Sequence, residues 1–279
     1  MMLFLIYISS CKCRVGTYIC TMVKIISIVM LAGMLVSCSS NPTLTTTPAE
    51  QADSLNYETI TMMQSIDGCD KDSSGCTYIE FAYPQFINTS GLLADSLTAI
   101  IQHTFGDSEK NILSPDSVQH NFIASYIAFK KKENIYTTPW FVEKSLMVLS
   151  QNPKWISLVY DERTFTGGAH PNSYKLYSVI EKASGRKMIL TDFFDSTAIY
   201  KLMGLGETEF RSVKGINPNQ GLEDAGYWFE KNRFHLNNNF YLNENGITFF
   251  FNHYEVGPYS LGSTEITIPA NKLVKLMKK

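Results

Sequence analysis

The sequence lacks the ready-made signatures of catalysis: it has no nucleophile elbow, no phosphate-binding loop, no zinc-protease motif and no His-x-x-x-His pair. Nothing in it therefore specifies a hydrolase, nucleotide or metallopeptidase centre, and no cofactor is implied. Charge of one sign is also missing. The net charge is −2 and the isoelectric point is near 6.2, so there is no electrostatic footprint for nucleic acid or an anionic surface. The single basic run, Lys130-Lys131-Lys132, falls at an expected helix end, where cations complement the dipole. No internal repeat is present. The apolar run Ile25 to Val36 is shorter than the ~20 residues a membrane-spanning helix needs. Cysteine is scarce, with six residues in 279. What is abundant is core material: 44% hydrophobic and 13% aromatic residues, in a length suited to one large or two small domains.

The N-terminal region reads as an export signal. Met22-Val23-Lys24 supplies one positive charge, Ile25 to Val36 an apolar stretch, and Leu35-Val36-Ser37-Cys38 the small residues before a cut. A cysteine in that place resembles the lipobox of bacterial lipoproteins, which implies lipidation at Cys38 and a membrane anchor. Residues 1–37 are accordingly expected to be the signal, with Met22 as the true start, because Cys11, Arg14 and Cys20 interrupt any earlier one. Residues 38–55 begin with Ser39-Ser40-Asn41-Pro42 and are poor in bulky apolar side chains, which describes a flexible tether. No acidic cluster follows Cys38, so the expected location is the cell envelope, facing the periplasm.

Two further cysteines remain, Cys69 and Cys76. In an oxidising compartment an even pair this close is expected to form a disulfide. The loop between them, Asp70-Lys71-Asp72-Ser73-Ser74-Gly75, has oxygen-bearing side chains at alternate positions like the start of a calcium loop. Such a loop requires glutamate at its twelfth position, where this chain has Phe81. A stapled turn is the expectation.

Periodicity and punctuation outline the rest. Strands are expected at Thr77 to Tyr83, ending before Pro84, at Phe141 to Leu149, at Trp155 to Tyr160 and at Tyr174 to Ile180. Leu93, Leu97, Ile100, Ile101 and Phe105 make one face of a helix over 92–105. Ser114-Pro115-Asp116 starts a second helix, with Val118, Phe122, Ile123, Tyr126 and Ile127 as its buried stripe. Asp195 or Ser196 caps a third, running to Val213, and a further helical piece is expected over Leu222 to Lys231. Asn243-Glu244-Asn245-Gly246 joins a hairpin of Phe240 to Leu242 with Ile247 to Phe251. Thr264 to Ile268 is a last strand and Ala270 to Lys278 a short helix. Blocks of strands and helices with hairpin links indicate an α+β fold: antiparallel sheets with helices packed on one face, in two closely associated subdomains. The expected subdomains are 56–165 and 166–279.

The most distinctive stretch is Phe165-Thr166-Gly167-Gly168-Ala169-His170-Pro171-Asn172, whose paired glycines suit a sharp turn with positive φ between two strands. Gly167, Gly168 and His170 are candidate site residues. His253, Tyr254, Glu255 and Tyr259 are the others. His253 and Glu255, two apart, would share a face on a strand, where the carboxylate could orient the imidazole. Tyr254, Tyr259, Trp228 and Trp140 offer aromatic surface for sugars or a protein.

Together with Ser184-Gly185-Arg186-Lys187, Leu190-Thr191-Asp192-Phe193-Phe194, Tyr254-Glu255-Val256-Gly257-Pro258-Tyr259 and Ile268-Pro269, the Thr166-Gly167-Gly168-Ala169-His170 motif resembles a known pattern. It is that of the paired extracytoplasmic domains shared by lysozyme-sensing anti-sigma factors of the RsiV type and peptidoglycan deacetylases of the PdaC type. The chain departs from both. A signal and lipobox stand where an anti-sigma factor has a cytoplasmic segment and spanning helix, and there is no separate deacetylase domain with its metal-binding histidines. The resemblance implies the recognition module alone, with lysozyme or peptidoglycan as partner. The other readings are a wall-directed hydrolase using His170, His253 and Glu255, and a structural lipoprotein of the envelope.

Overall fold

The computed structural model of the protein describes residues 54–278, apart from 108, 112–113 and 134–137. The signal, Cys38 and nearly all of the tether lie outside the described residues. The described residues belong to one compact unit.

A six-stranded sheet takes its strands in chain order: β1 (Asn56–Ser65), β2 (Tyr78–Ile87), β3 (Phe141–Gln151), β4 (Trp155–Phe165), β5 (Asn172–Glu181) and β6 (Lys187–Met188). All neighbours are antiparallel except β2 and β3. Those two run parallel because α1 (Gly91–Phe105) and α2 (Pro115–Glu133) intervene and return the chain to the same end. A short α3 (Leu190–Phe193) and the long α4 (Ser196–Lys214) follow. A three-stranded antiparallel sheet comes next, β7 (Phe240–Asn243), β8 (Gly246–Phe251) and β9 (Thr264–Pro269), followed by α5 (Ala270–Leu273), shorter than the helix expected over Ala270 to Lys278. This is the expected α+β architecture.

The molecule has two cores. In the first, Ile79 and Phe81 of β2, Leu146 of β3 and Leu158 of β4 alternate onto one sheet face and meet Leu97 and Phe105 of α1. α2 completes this layer through Val118, Phe122 and Ile123. Ile127, expected in the buried stripe, is exposed. Tyr126 is buried as expected, and the other buried position on that helix is Gln119, whose amide donates to the carbonyls of Met62 and Ile79 at 2.9 and 3.2 Å. The polar group is tolerated because its bonds are made.

Phenylalanine dominates the second core. Phe210 of α4 is fully buried, with ring centroids of Tyr227, Phe229, Phe234 and Phe251 between 5.0 and 5.6 Å away. The asparagine-glycine hairpin forms as expected, but its glycine serves a further purpose. A side chain at Gly246 would collide with the carbonyl of Ile268 on β9, so the position demands the absence of a Cβ. α4 begins where expected: the Asp195 carboxylate accepts from the Ala198 amide at 2.8 Å.

Several expectations are corrected. β1 was not expected to be a strand at all. β2 passes through Pro84 and continues to Ile87, because pairing with β3 stops at Ala82, and proline is harmless where one side of a strand has no ladder. The helix expected over 222–231 is absent: the chain makes successive turns there, with Gly226 at φ 88°, and Leu222, Tyr227 and Phe229 are drawn into the phenylalanine core. The larger sheet runs through the β4–β5 hairpin and on to Met188. Cys69 and Cys76 are joined as a disulfide, as expected. The turn they close is polar, and Lys71 extends from it to Glu80 at 2.7 Å.

Candidate functional site

Two loops build the site. The first is the β4–β5 connection, residues 166–171, in which Gly167 (φ 106°) and Gly168 (φ 116°) adopt backbone conformations that side chains disfavour. No atom lies near enough to obstruct a Cβ at either position, so the requirement is conformational and not steric. The pair folds the chain back so that His170 precedes the start of β5. The second loop, residues 252–263, links β8 to β9 and carries His253, Tyr254, Glu255 and Tyr259.

These loops meet through their rings. The His170 imidazole stacks on the Tyr259 phenol with centroids 3.9 Å apart and planes 18° from parallel. His253 stacks on the same phenol at 4.6 Å and 25°. Tyr254 lies 5.6 Å from Tyr259 and is 57% exposed, and its φ of 63° places a bulky residue in the left-handed region. Trp228, 53% exposed, is fastened to the same loop: its indole donates to the Glu255 carbonyl at 3.3 Å and its amide to the Val256 carbonyl at 3.0 Å. Large apolar rings are thus held in place at the surface and not buried.

Polar contacts fix the stack. His170 Nδ1 lies 2.9 Å from the Pro171 carbonyl, and the Tyr259 hydroxyl donates to that carbonyl at 3.4 Å. His253 Nδ1 lies 3.3 Å from Ser173 Oγ at the start of β5. Lys214, at the end of α4, donates to the Leu261 and Ser263 carbonyls at 3.0 and 3.1 Å, holding the second loop from beneath. Its ammonium pKa is lowered by burial.

Glu255 does not take the expected role. The segment is a turn and not a strand, so period-two counting fails. Its carboxylate accepts from the Asn237 side-chain amide at 2.6 Å and from the Asn252 amide at 2.8 Å, closing the loop. The imidazole of His253 pairs, among the described residues, with the Ser173 hydroxyl and with no carboxylate. Among the described residues, no group of three or more histidine, cysteine, aspartate and glutamate side chains could hold a metal ion. Trp140 is structural: its ring packs against Phe122, Tyr126 and Phe129 of α2. Sequence reasoning passed over Ser173, Lys214 and Asn237, which carry no motif and act only through the fold.

The arrangement is therefore an α+β module whose distinguishing surface is a histidine–tyrosine stack built by two loops. The family model described as Deacetylase PdaC matches residues 70–173, and that described as Protein of unknown function (DUF3298) matches residues 191–271. Two solved structures share the fold. One is a DUF3298 family member from Bacteroides fragilis, 21% identical, with a TM-score of 0.61. The other is a DUF3298 family protein from Pseudomonas aeruginosa, 16% identical, with a TM-score of 0.55. Each match covers 81% of this chain and 95% of the other. No curated protein matches. Together these matches support a PdaC/DUF3298-like family for the chain. Among the described residues no helix is long and apolar enough to cross a membrane.

Proposed function

We propose that this protein is a non-catalytic recognition module of the bacterial cell envelope, lipid-anchored at Cys38, that binds peptidoglycan or lysozyme. The observation that carries the reading is the surface ring cluster in which exposed His170 and Tyr254 meet half-buried His253 and Tyr259, with exposed Trp228 beside it. Aromatic rings present flat apolar faces with polar edges, the combination that suits both the faces of pyranose sugars and the hot spots of a protein interface. Held in place by the Pro171 carbonyl, Ser173 and Lys214, the cluster loses little freedom when a ligand arrives. Recognition is favoured over hydrolysis because Glu255, the one acid expected beside the histidines, is engaged by Asn237 and Asn252.

Calorimetric titration of the protein with lysozyme and, separately, with solubilised peptidoglycan fragments tests the reading. Saturable binding to one of them is expected, weakened at least about tenfold in Tyr259→Ala, which corresponds to about 1.4 kcal/mol. Silence toward both ligands, or binding indifferent to both Tyr259→Ala and His170→Ala, sinks it.

A further inference from the structure

The six-stranded sheet ends on β1, and among the described residues no strand pairs with that edge. The hydrogen-bonding direction of each residue follows from alternation along the antiparallel β1–β2 ladder. The Tyr78 amide donates to the Trp140 carbonyl, away from β1, so its register partner Ser65 belongs to a pair that exchanges no backbone bonds. By period two, Tyr57, Thr59, Thr61 and Met63 share that property. Pro84 agrees: opposite Thr59 and in the same parity as Tyr78, it has no N–H to give to β1 and none is needed. The amides and carbonyls of Tyr57, Thr59, Thr61 and Met63 therefore point out of the sheet, and among the described residues nothing pairs with them.

Natural sheets guard such edges with lysine, proline, bulges or short strands. β1 has none of these: it is ten residues long, its register with β2 is unbroken, and Glu58 is its single charge. The outward row Tyr57, Thr59, Thr61 and Met63 is exposed, uncharged and rich in strand formers.

We propose that a second copy of this chain occupies the edge, β1 pairing with β1 antiparallel about a two-fold axis to make one continuous sheet. The strand suits itself. An antiparallel register centred on Ile60 sets Thr59 against Thr61 and Tyr57 against Met63, so that the outward groups face one another. It also sets Glu58 against Met62, keeping the two carboxylates apart. Such a contact closes on itself, so it makes dimers and not filaments.

Sedimentation velocity on the full chain in dilute nonionic detergent, with the detergent's buoyancy matched, tests the proposal. A dimer is expected. Thr61→Pro, which removes an outward N–H, and Thr61→Lys, which guards the edge without altering the backbone, are each expected to raise the dissociation constant at least about tenfold. Circular dichroism and melting temperature report whether each variant is folded, and Thr61→Lys alone decides if the proline variant is not. A monomer at high micromolar concentration overturns the proposal and leaves the edge to a foreign strand. A dimer untouched by a folded Thr61 variant, or an open-ended series of oligomers, overturns it as well.

Discussion

The two edges of the large sheet are finished in opposite ways. At the β5 edge, β6 pairs only with Val179 and Ile180, and asparagine side chains close what remains. Asn239 accepts from the Tyr177 amide at 2.6 Å and donates to the Lys175 carbonyl at 2.8 Å. Asn252 accepts from the Lys175 amide at 2.7 Å and donates to the same carbonyl at 2.9 Å. A carboxamide offers a donor and an acceptor in one plane, as a neighbouring peptide unit would. Both asparagines come from segments flanking the small sheet, so the guard on one edge is also the joint between the two cores. Among the described residues β1 has no such guard. The difference shows that this fold can cap an edge with side chains, and that the described residues do so on one side only.

Removing Asn239 breaks the contrast most severely. Asn239 is buried, and truncation leaves the Tyr177 amide without its partner and the Lys175 carbonyl with one donor, Asn252, in place of two. Asn239→Ala is expected to destabilise the chain by about 2–4 kcal/mol, since a buried amide left unpaired costs about 1–3 kcal/mol and the second lost hydrogen bond about 1 kcal/mol. Chemical denaturation measures it. A loss below the uncertainty of the fit would mean that water replaces the carboxamide and that the edge needs no guard. Asn252→Ala is expected to cost less, about 1–2 kcal/mol, because Asn252 is only part-buried and Asn239 still serves the Lys175 carbonyl. The effect that matters for Asn252 is local: its backbone amide keeps its bond to Glu255, but truncation unties the start of the His253–Tyr259 loop from Lys175, so the variant should loosen that loop and weaken ligand binding. Unchanged binding in a folded Asn252→Ala would separate the joint from the site.

Much of this was legible in the sequence where periodicity was strong. α1, α4, the β4–β5 hairpin and the Asn243–Gly246 turn each announce themselves by a buried stripe, a cap or a glycine. β1 was missed because both of its faces are largely exposed, so Asn56 to Ser65 shows no alternation of apolar and polar residues. The end of β2 was misplaced because proline was read without knowing that β3 had already left its side. Within the site, the motif residues could be named in advance, but the stack could not. His170 and Tyr259 are 89 positions apart, and only the hairpin and the β8–β9 loop bring them together. Glu255 was misread because spacing assigns a face only after the element is known, and the element is a turn. The guarding asparagines carry no signal of their own.

The smallest effect concerns Asp161, which faces Lys175 across the β4–β5 ladder with 3.7 Å between their charged groups. Burial holds its carboxyl pKa above the ordinary value, and the pull of Lys175 offsets this only in part. The folded chain therefore keeps a proton on Asp161 to higher pH than the unfolded chain does. As pH rises from the unfolded carboxylate value of about 4 through the raised folded value, stability contributed by this group falls. The full penalty is in force at neutral pH and is relieved below about pH 4. Asp161→Asn should consequently stabilise the protein at pH 7 by less than about 1 kcal/mol, a figure kept small because the side chain is 42% exposed and screened by water. Parallel melting curves of the two proteins from pH 7 down to the onset of acid unfolding would show the gap narrowing. If Asp161→Asn were instead less stable at pH 7, the attraction to Lys175 would outweigh burial, and the ion pair would join the two asparagines in securing the closed edge.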